Sequence, residues 1–88
     1  MRKVKEIDIT KDGLYFVTKT KEGLWAFVDA EDREVVLGES LEDAIAKFYS
    51  SIFSNAVKRE DVKINLLENN KVEVCVKGDC WVCNAEFE

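Results

Sequence analysis

The chain has 88 residues, of which 47% are apolar and 35% are charged, and its formal net charge is −5. This length and composition predict one domain, residues 1–88, whose core is large enough to be stable without disulfides or metals. The acidic balance disfavours binding to nucleic acid, because a phosphate backbone would be repelled. No apolar run approaches the roughly 20 residues of a membrane span, so no membrane partner is expected.

The sequence also favours an intracellular location. Its first residues, MRKVKEIDIT, lack the apolar segment of a signal peptide, and an odd number of cysteines argues against a disulfide framework. We therefore expect a cytoplasmic protein in a reducing compartment. The chain has no His, Pro or Gln alongside many Glu and Lys, a composition that favours a thermophilic source.

Two short segments near the N-terminus, KDG at 11–13 and KEG at 21–23, predict hairpin loops of three residues. With this register one strand face collects a buried group: Ile7, Ile9, Tyr15, Val17, Trp25 and Phe27. The opposite face carries a second apolar group: Leu14, Phe16, Leu24, Ala26 and Val28. A sheet buried on one side only is polar on the other, so this second group predicts a protein interface.

A fourth strand is predicted at 34–38, EVVLG, and the apolar spacing then changes from two to about 3.6 residues. This change predicts a helix from about residue 41 to 55, with Ser40 as the N-cap and Asp43 as the capping-box acid. The apolar stripe of this helix is expected to face the core. It comprises Leu41, Ala44, Ile45, Phe48, Ile52 and Ala56, widened by Tyr49 and Phe53.

The last third predicts three more strands. An ENN loop at 68–70 pairs Leu66 with Val72, Ile64 with Val74, and Val62 with Val76. A two-residue Gly78-Asp79 turn pairs Val76 with Trp81, Val74 with Cys83, and Val72 with Ala85. The predicted fold class is α+β: an antiparallel β-meander of about four strands, one α-helix, then a three-stranded antiparallel β-meander. The pattern leaves open whether the two meanders form one sheet or two.

All three cysteines lie in CVKGDCWVC at 75–83. In this register Cys83 joins the apolar face, whereas Cys75 and Cys80 point to the other side as diagonal neighbours. Three thiols without His do not make the four-ligand set of a structural zinc, and CWVC does not open a helix as redox motifs do. We expect no metal and no cofactor. Cys75 and Cys80 are possible redox thiols, and the pattern leaves open whether they form a disulfide.

Nothing in the sequence predicts catalysis. General acid–base chemistry would have to do without His, and no glycine-rich phosphate loop is present. Capping and solubility account for one acidic cluster around a turn and a helix start: Glu31, Asp32, Glu34, Glu39, Glu42 and Asp43. We expect no enzyme and no catalytic residues.

The run GLYFV followed by VVLGESLEDAIAKF, within residues 13 to 53, resembles the strand-to-helix passage of HicB-type antitoxins. These small α+β proteins neutralise a ribonuclease partner. An additional hairpin and a C-terminal β-meander depart from that family. The resemblance implies a protein-binding role and assigns no role to any residue.

The favoured function is a non-enzymatic protein-interaction module, either an inhibitor or antitoxin-like partner or the subunit of a homodimer. Its expected interface is the second apolar group: Leu14, Phe16, Leu24, Ala26 and Val28. The alternative is a single-stranded nucleic-acid-binding protein that stacks bases on Tyr15, Trp25 and Phe27. A further alternative is an acidic mimic of nucleic acid, with carboxylates around residues 29 to 43.

Overall fold

The computed structural model describes residues 3–10, 14–29, 31, 33–52 and 56–88, without the side chains of 34–37 and 52. The predicted loop at 11–13 and the predicted core residue Phe53 therefore lie outside the described residues. Within the described part the chain is an α+β protein with one α-helix and an antiparallel sheet. The predicted fold class is confirmed.

Along the described chain, four strands precede the single α-helix and three strands follow it. The elements are β1 (Val4–Asp8), β2 (Tyr15–Lys19), β3 (Trp25–Asp29), β4 (Glu34–Gly38), α1 (Leu41–Ile52), a 3-10 turn (Arg59–Asp61), β5 (Val62–Leu66), β6 (Lys71–Val76) and β7 (Asp79–Phe87). The strand order is β4-β3-β2-β1-β7-β6-β5. The two meanders thus form one sheet, joined where Ile7 of β1 lies opposite Ala85 of β7.

Two predicted three-residue loops are present. In the 21–23 loop the Thr20 amide donates to the Leu24 carbonyl at 2.7 Å, and Gly23 takes a φ of 84° that suits glycine. In the 68–70 loop the Leu67 amide donates to the Lys71 carbonyl at 2.9 Å. The predicted pairing of β5 with β6 is confirmed by the register of Leu66 with Val72, Ile64 with Val74, and Val62 with Val76.

The turn between β6 and β7 lies one residue earlier than predicted, which shifts the pairing register by two residues. It is Lys77-Gly78, with φ of 51° and 91°, as a two-residue turn with left-handed backbone at both positions requires. A turn of this kind favours glycine at the second of its two positions, whereas the predicted turn had glycine at the first position. Its register pairs Val76 with Asp79, Val74 with Trp81, and Val72 with Cys83. A two-residue shift keeps every side chain on its predicted face, because side chains alternate with period two.

The ends of α1 are fixed by short side chains. The Asp43 amide donates to Ser40 Oγ at 3.1 Å, which confirms the predicted N-cap, and Asp43 Oδ2 accepts a bond from the Glu39 amide at 3.1 Å. Ser50, in the last turn of α1, accepts a hydrogen bond on its Oγ from the Val57 amide at 3.2 Å. This bond holds the chain after the helix against α1. Ala56, predicted to belong to the apolar stripe, is exposed.

The core lies between α1 and one face of the sheet, here called the inner face. The Phe48 ring of α1 lies 5.2 Å from that of Phe27 and 5.1 Å from that of Tyr15. The largest fully buried side chains of the core come from both meanders and from the helix: Ile7, Val17, Phe27, Ile45, Phe48, Val72 and Val74. At Gly38 a Cβ atom would lie 2.7 Å from the Ala44 backbone nitrogen, so β4 and α1 pack closer than a side chain allows.

Candidate protein interface

The outer face is the sheet surface that points away from α1. Because Ile7, Val17 and Phe27 point into the core, the residues between them point outward. The strand register sets these outward residues side by side in two rows. One row is Asp8, Phe16 and Val28, and the next is Glu6, Thr18 and Ala26.

An apolar patch occupies β2 and β3 on this face. Phe16 lies directly opposite Val28, and both are partly exposed. Leu14, two residues before Phe16, is 47% exposed. A shallow groove beside the patch is lined by Glu6, Phe16, Thr18 and Val28. The side chains of this groove all belong to the three strands β1, β2 and β3, whereas α1 packs on the other face.

Of the five predicted interface residues, Ala26 has no exposed surface. Its short side chain is flanked by the longer ones of Thr18 on β2 and Val28 on β3. Leu24 is partly exposed at the far end of β3, where its amide donates to Thr20 Oγ1 at 3.1 Å. The surface available to a partner therefore consists of the other four: Leu14, Phe16, Leu24 and Val28.

Carboxylates of β1 lie beside the apolar patch. Asp8 is directly opposite Phe16, and Glu6 lines the groove. On the other side of β1, Glu6 lies directly opposite Glu86 of β7. Like charges placed opposite each other destabilise a sheet. Neither residue takes part in any ion pair found among the described residues. The sequence did not indicate this pair, because nothing local in it shows that the first and last strands are neighbours.

The three aromatic residues of the nucleic-acid alternative lie on the inner face. Phe27 has no exposed surface, and the Tyr15 ring packs 6.4 Å from the Phe27 ring. Trp25 is partly buried against the same core. They do not form an open stacking platform, because α1 covers the face to which they point.

The cysteines divide between the faces. Cys83 is buried on the inner face, as predicted, and takes no part in the disulfide. Cys75 and Cys80 are directly opposite each other, with Cα atoms 4.0 Å apart, and form a disulfide with an S–S distance of 2.05 Å. The predicted diagonal arrangement is wrong because the turn is Lys77-Gly78. Alternation along β6 puts Glu73 on the same face as Cys75, and the structure brings its carboxylate beside this pair.

The acidic turn between β3 and β4 has a structural explanation at Asp29. Its Oδ1 accepts bonds from the Arg33 amide at 3.1 Å and the Glu31 amide at 3.0 Å, and its Oδ2 meets the Arg33 guanidinium at 2.8 Å. The Arg33 backbone hydrogen bond is the main cause that lowers the pKa of Asp29, despite the opposing effect of desolvation. This carboxylate therefore holds the turn together.

Fold and surface together define a small α+β protein whose single described helix covers one face of an antiparallel sheet and leaves an apolar and acidic patch on the other. No helix within the described residues is long and apolar enough to span a membrane. No family model matches the chain, and neither a curated protein nor a solved structure matches it.

Proposed function

We propose that this chain is a non-enzymatic protein-interaction module whose outer face binds a separate protein that presents apolar side chains beside basic ones. One observation carries the proposal. The partly exposed pair Phe16 and Val28 shares a groove with Glu6, which lies opposite the like-charged Glu86.

The apolar residues and the acidic residues of this surface favour the same kind of partner. Phe16 supplies an aromatic anchor of the type that dominates binding energy at protein interfaces, once neighbouring contacts exclude water. A Lys or Arg placed between Glu6 and Glu86 would relieve their repulsion and steer the two proteins together. The net charge of −5 extends this attraction beyond the patch.

A separate partner is favoured over a second copy of the chain. Two copies meeting through this face would each bring the Glu6 and Glu86 carboxylates and a net charge of −5 to the contact. An inhibitor or antitoxin-like protein and an acidic mimic of nucleic acid are both forms of the proposed function. Each would block an enzyme through its basic surface.

The test uses two matched substitutions. Leu14 and Leu66 are 47% and 48% exposed, but only Leu14 borders the patch, whereas Leu66 ends β5 at the far edge of the sheet. Tagged wild-type, Leu14→Asp and Leu66→Asp proteins are used to capture binding proteins from an extract of the source organism. The captured protein is then purified and titrated against each variant by calorimetry.

We expect Leu14→Asp to weaken binding at least about tenfold, or roughly 1.4 kcal/mol, because it places a charge inside an apolar contact. Leu66→Asp should leave binding unchanged, because Leu66 lies outside that contact. Binding should also weaken with added salt. Equal effects of both substitutions would contradict the proposal. A purified protein that sediments as a dimer, and as a monomer after Leu14→Asp, would assign the face to self-association instead.

A further inference from the structure

A second cluster on the outer face lies in the other half of the sheet, away from the apolar patch. One carboxylate oxygen of Glu73 and the two sulfurs of Cys75 and Cys80 all lie within 4.8 Å of one another. The expectation of no metal site rested on the lack of four Cys or His ligands, and on Cys75 and Cys80 being only diagonal neighbours. The Lys77-Gly78 turn instead sets Cys75 opposite Cys80.

We propose that Cys75, Cys80 and Glu73 bind a zinc ion once a dithiol reductant has opened the disulfide. Two electrons from the reductant break the S–S bond, the reductant becomes a disulfide, and its two thiol protons pass to Cys75 and Cys80. Zinc then displaces both protons and forms two Zn–S bonds and one bond to the Glu73 carboxylate.

The positions of the three residues suit tetrahedral zinc. Two thiolates on one zinc lie roughly 3.8 Å apart, given Zn–S bonds of about 2.3 Å. With their Cα atoms 4.0 Å apart across the hairpin, Cys75 and Cys80 can place two separated sulfurs on one ion by side-chain rotation alone. Glu73 stands two residues before Cys75 and so projects from the same face. The ligands therefore come from two rigid, paired strands.

Neighbouring residues support the same site. Asn65 Nδ2 donates to Glu73 Oε1 at 2.9 Å and so orients the carboxylate, leaving its other oxygen for the metal. Lys63 lies opposite Cys75 on β5, and a nearby positive charge favours the thiolate form. Cys80 is exposed, which gives an ion access from solvent.

Three protein ligands leave the fourth position of a tetrahedral zinc for water, as in open zinc sites. While the two sulfurs are bonded to each other, neither is a thiolate, so the oxidised protein lacks the ligands. The oxidation state of this hairpin thus decides whether it binds metal. This inference does not depend on the proposed function, because the two clusters share no residue.

Cobalt(II) serves as the probe, because thiolate-bound tetrahedral cobalt absorbs visible light. Protein is first reduced with a phosphine, which takes oxygen from water to become the phosphine oxide while the two water protons pass to the thiols. The reduced protein is then titrated with Co²⁺ and afterwards with Zn²⁺. We expect one Co²⁺ per chain, displaced by Zn²⁺, and no thiolate absorption in the oxidised protein. Glu73→Gln should weaken binding at least about tenfold, and Cys75→Ser should abolish the thiolate absorption.

Cys83→Ala is the matched control, because this thiol lies on the inner face and should not contribute. Circular dichroism checks that each variant is folded, and Glu73→Gln keeps both thiols in case Cys75→Ser is unstable. The proposal fails if reduced wild-type protein shows no thiolate-bound cobalt. It also fails if Cys83→Ala removes the absorption or Glu73→Gln leaves the affinity unchanged.

Discussion

Burial controls the acid–base behaviour of Tyr49. Its ring packs at 4.9 Å from that of Phe48 and 5.6 Å from that of Trp81. Desolvation, with a smaller contribution from the charge of Cys83, raises the pKa of Tyr49 to about 12 from its ordinary 10.0. The neutral phenol is therefore the form that the folded protein favours.

This shift predicts how stability depends on pH. Between pH 10 and about 12 an unfolded chain releases the Tyr49 proton while the folded chain keeps it, so the unfolded state binds fewer protons. The stabilising contribution is fully present below pH 10 and is lost as pH rises through about 12. Ultraviolet absorption follows the formation of tyrosinate as pH is raised, in the wild-type protein and in Tyr49→Phe. The difference between the two titration curves should be centred near pH 12, about the pKa of Tyr49. A difference curve centred near pH 10 would contradict this.

At the scale of elements, the β6–β7 hairpin depends on a turn in which one of the two residues is not ideal. Lys77 takes a φ of 51°, a left-handed conformation that is costly for most side chains and easier for Asn. The following Gly78, at 91°, has no such cost. The hairpin thus sets Cys75 opposite Cys80 at the expense of local backbone energy.

Lys77→Asn should therefore raise the free energy of unfolding by about 0.5–1 kcal/mol, since Asn-Gly is a preferred pair in this kind of turn. Lys21→Asn is the control, because it also removes an exposed loop lysine, but at a residue without positive φ. Urea denaturation measures both variants. Equal midpoints for the two substitutions, or a lower midpoint for Lys77→Asn, would show that the turn is not strained in this way.

The sequence predicted those features of the elements that depend on local periodicity. Alternation placed Ile7, Val17 and Phe27 in the core, and Gly or Asn marked two of the loops. It could not distinguish a Gly78-Asp79 turn from Lys77-Gly78, because a shift of two residues leaves the same faces buried. The face of each cysteine was therefore predictable, but the direct pairing of Cys75 with Cys80 was not.

At the scale of the whole molecule, the sheet is completed by pairing its first strand with its last. This contact between β1 and β7 makes one sheet of the two meanders and places Glu6 opposite Glu86. Such long-range pairing has no local signal in the sequence. The apolar half of the candidate interface was therefore predictable from alternation, whereas its acidic half required the structure.

The same topology explains why α1 leaves one face of the sheet uncovered. Helix α1 connects β4 to β5, which are the two edges of the sheet, and packs on the inner face between them. The patch around Phe16 lies on the opposite face, in the half of the sheet that contains β1 to β4. We propose that this outer face binds a separate, basic protein.

Site-specific photo-cross-linking in an extract of the source organism tests that claim most directly. A benzophenone side chain replaces Thr18, which lies beside Glu6 and Ala26 on the outer face, or Lys47, which is exposed on α1. We predict that position 18 cross-links to one other protein with a basic surface, that position 47 does not, and that Leu14→Asp removes the product. Cross-links from position 18 only to the chain itself, or equal products from both positions, would contradict the account.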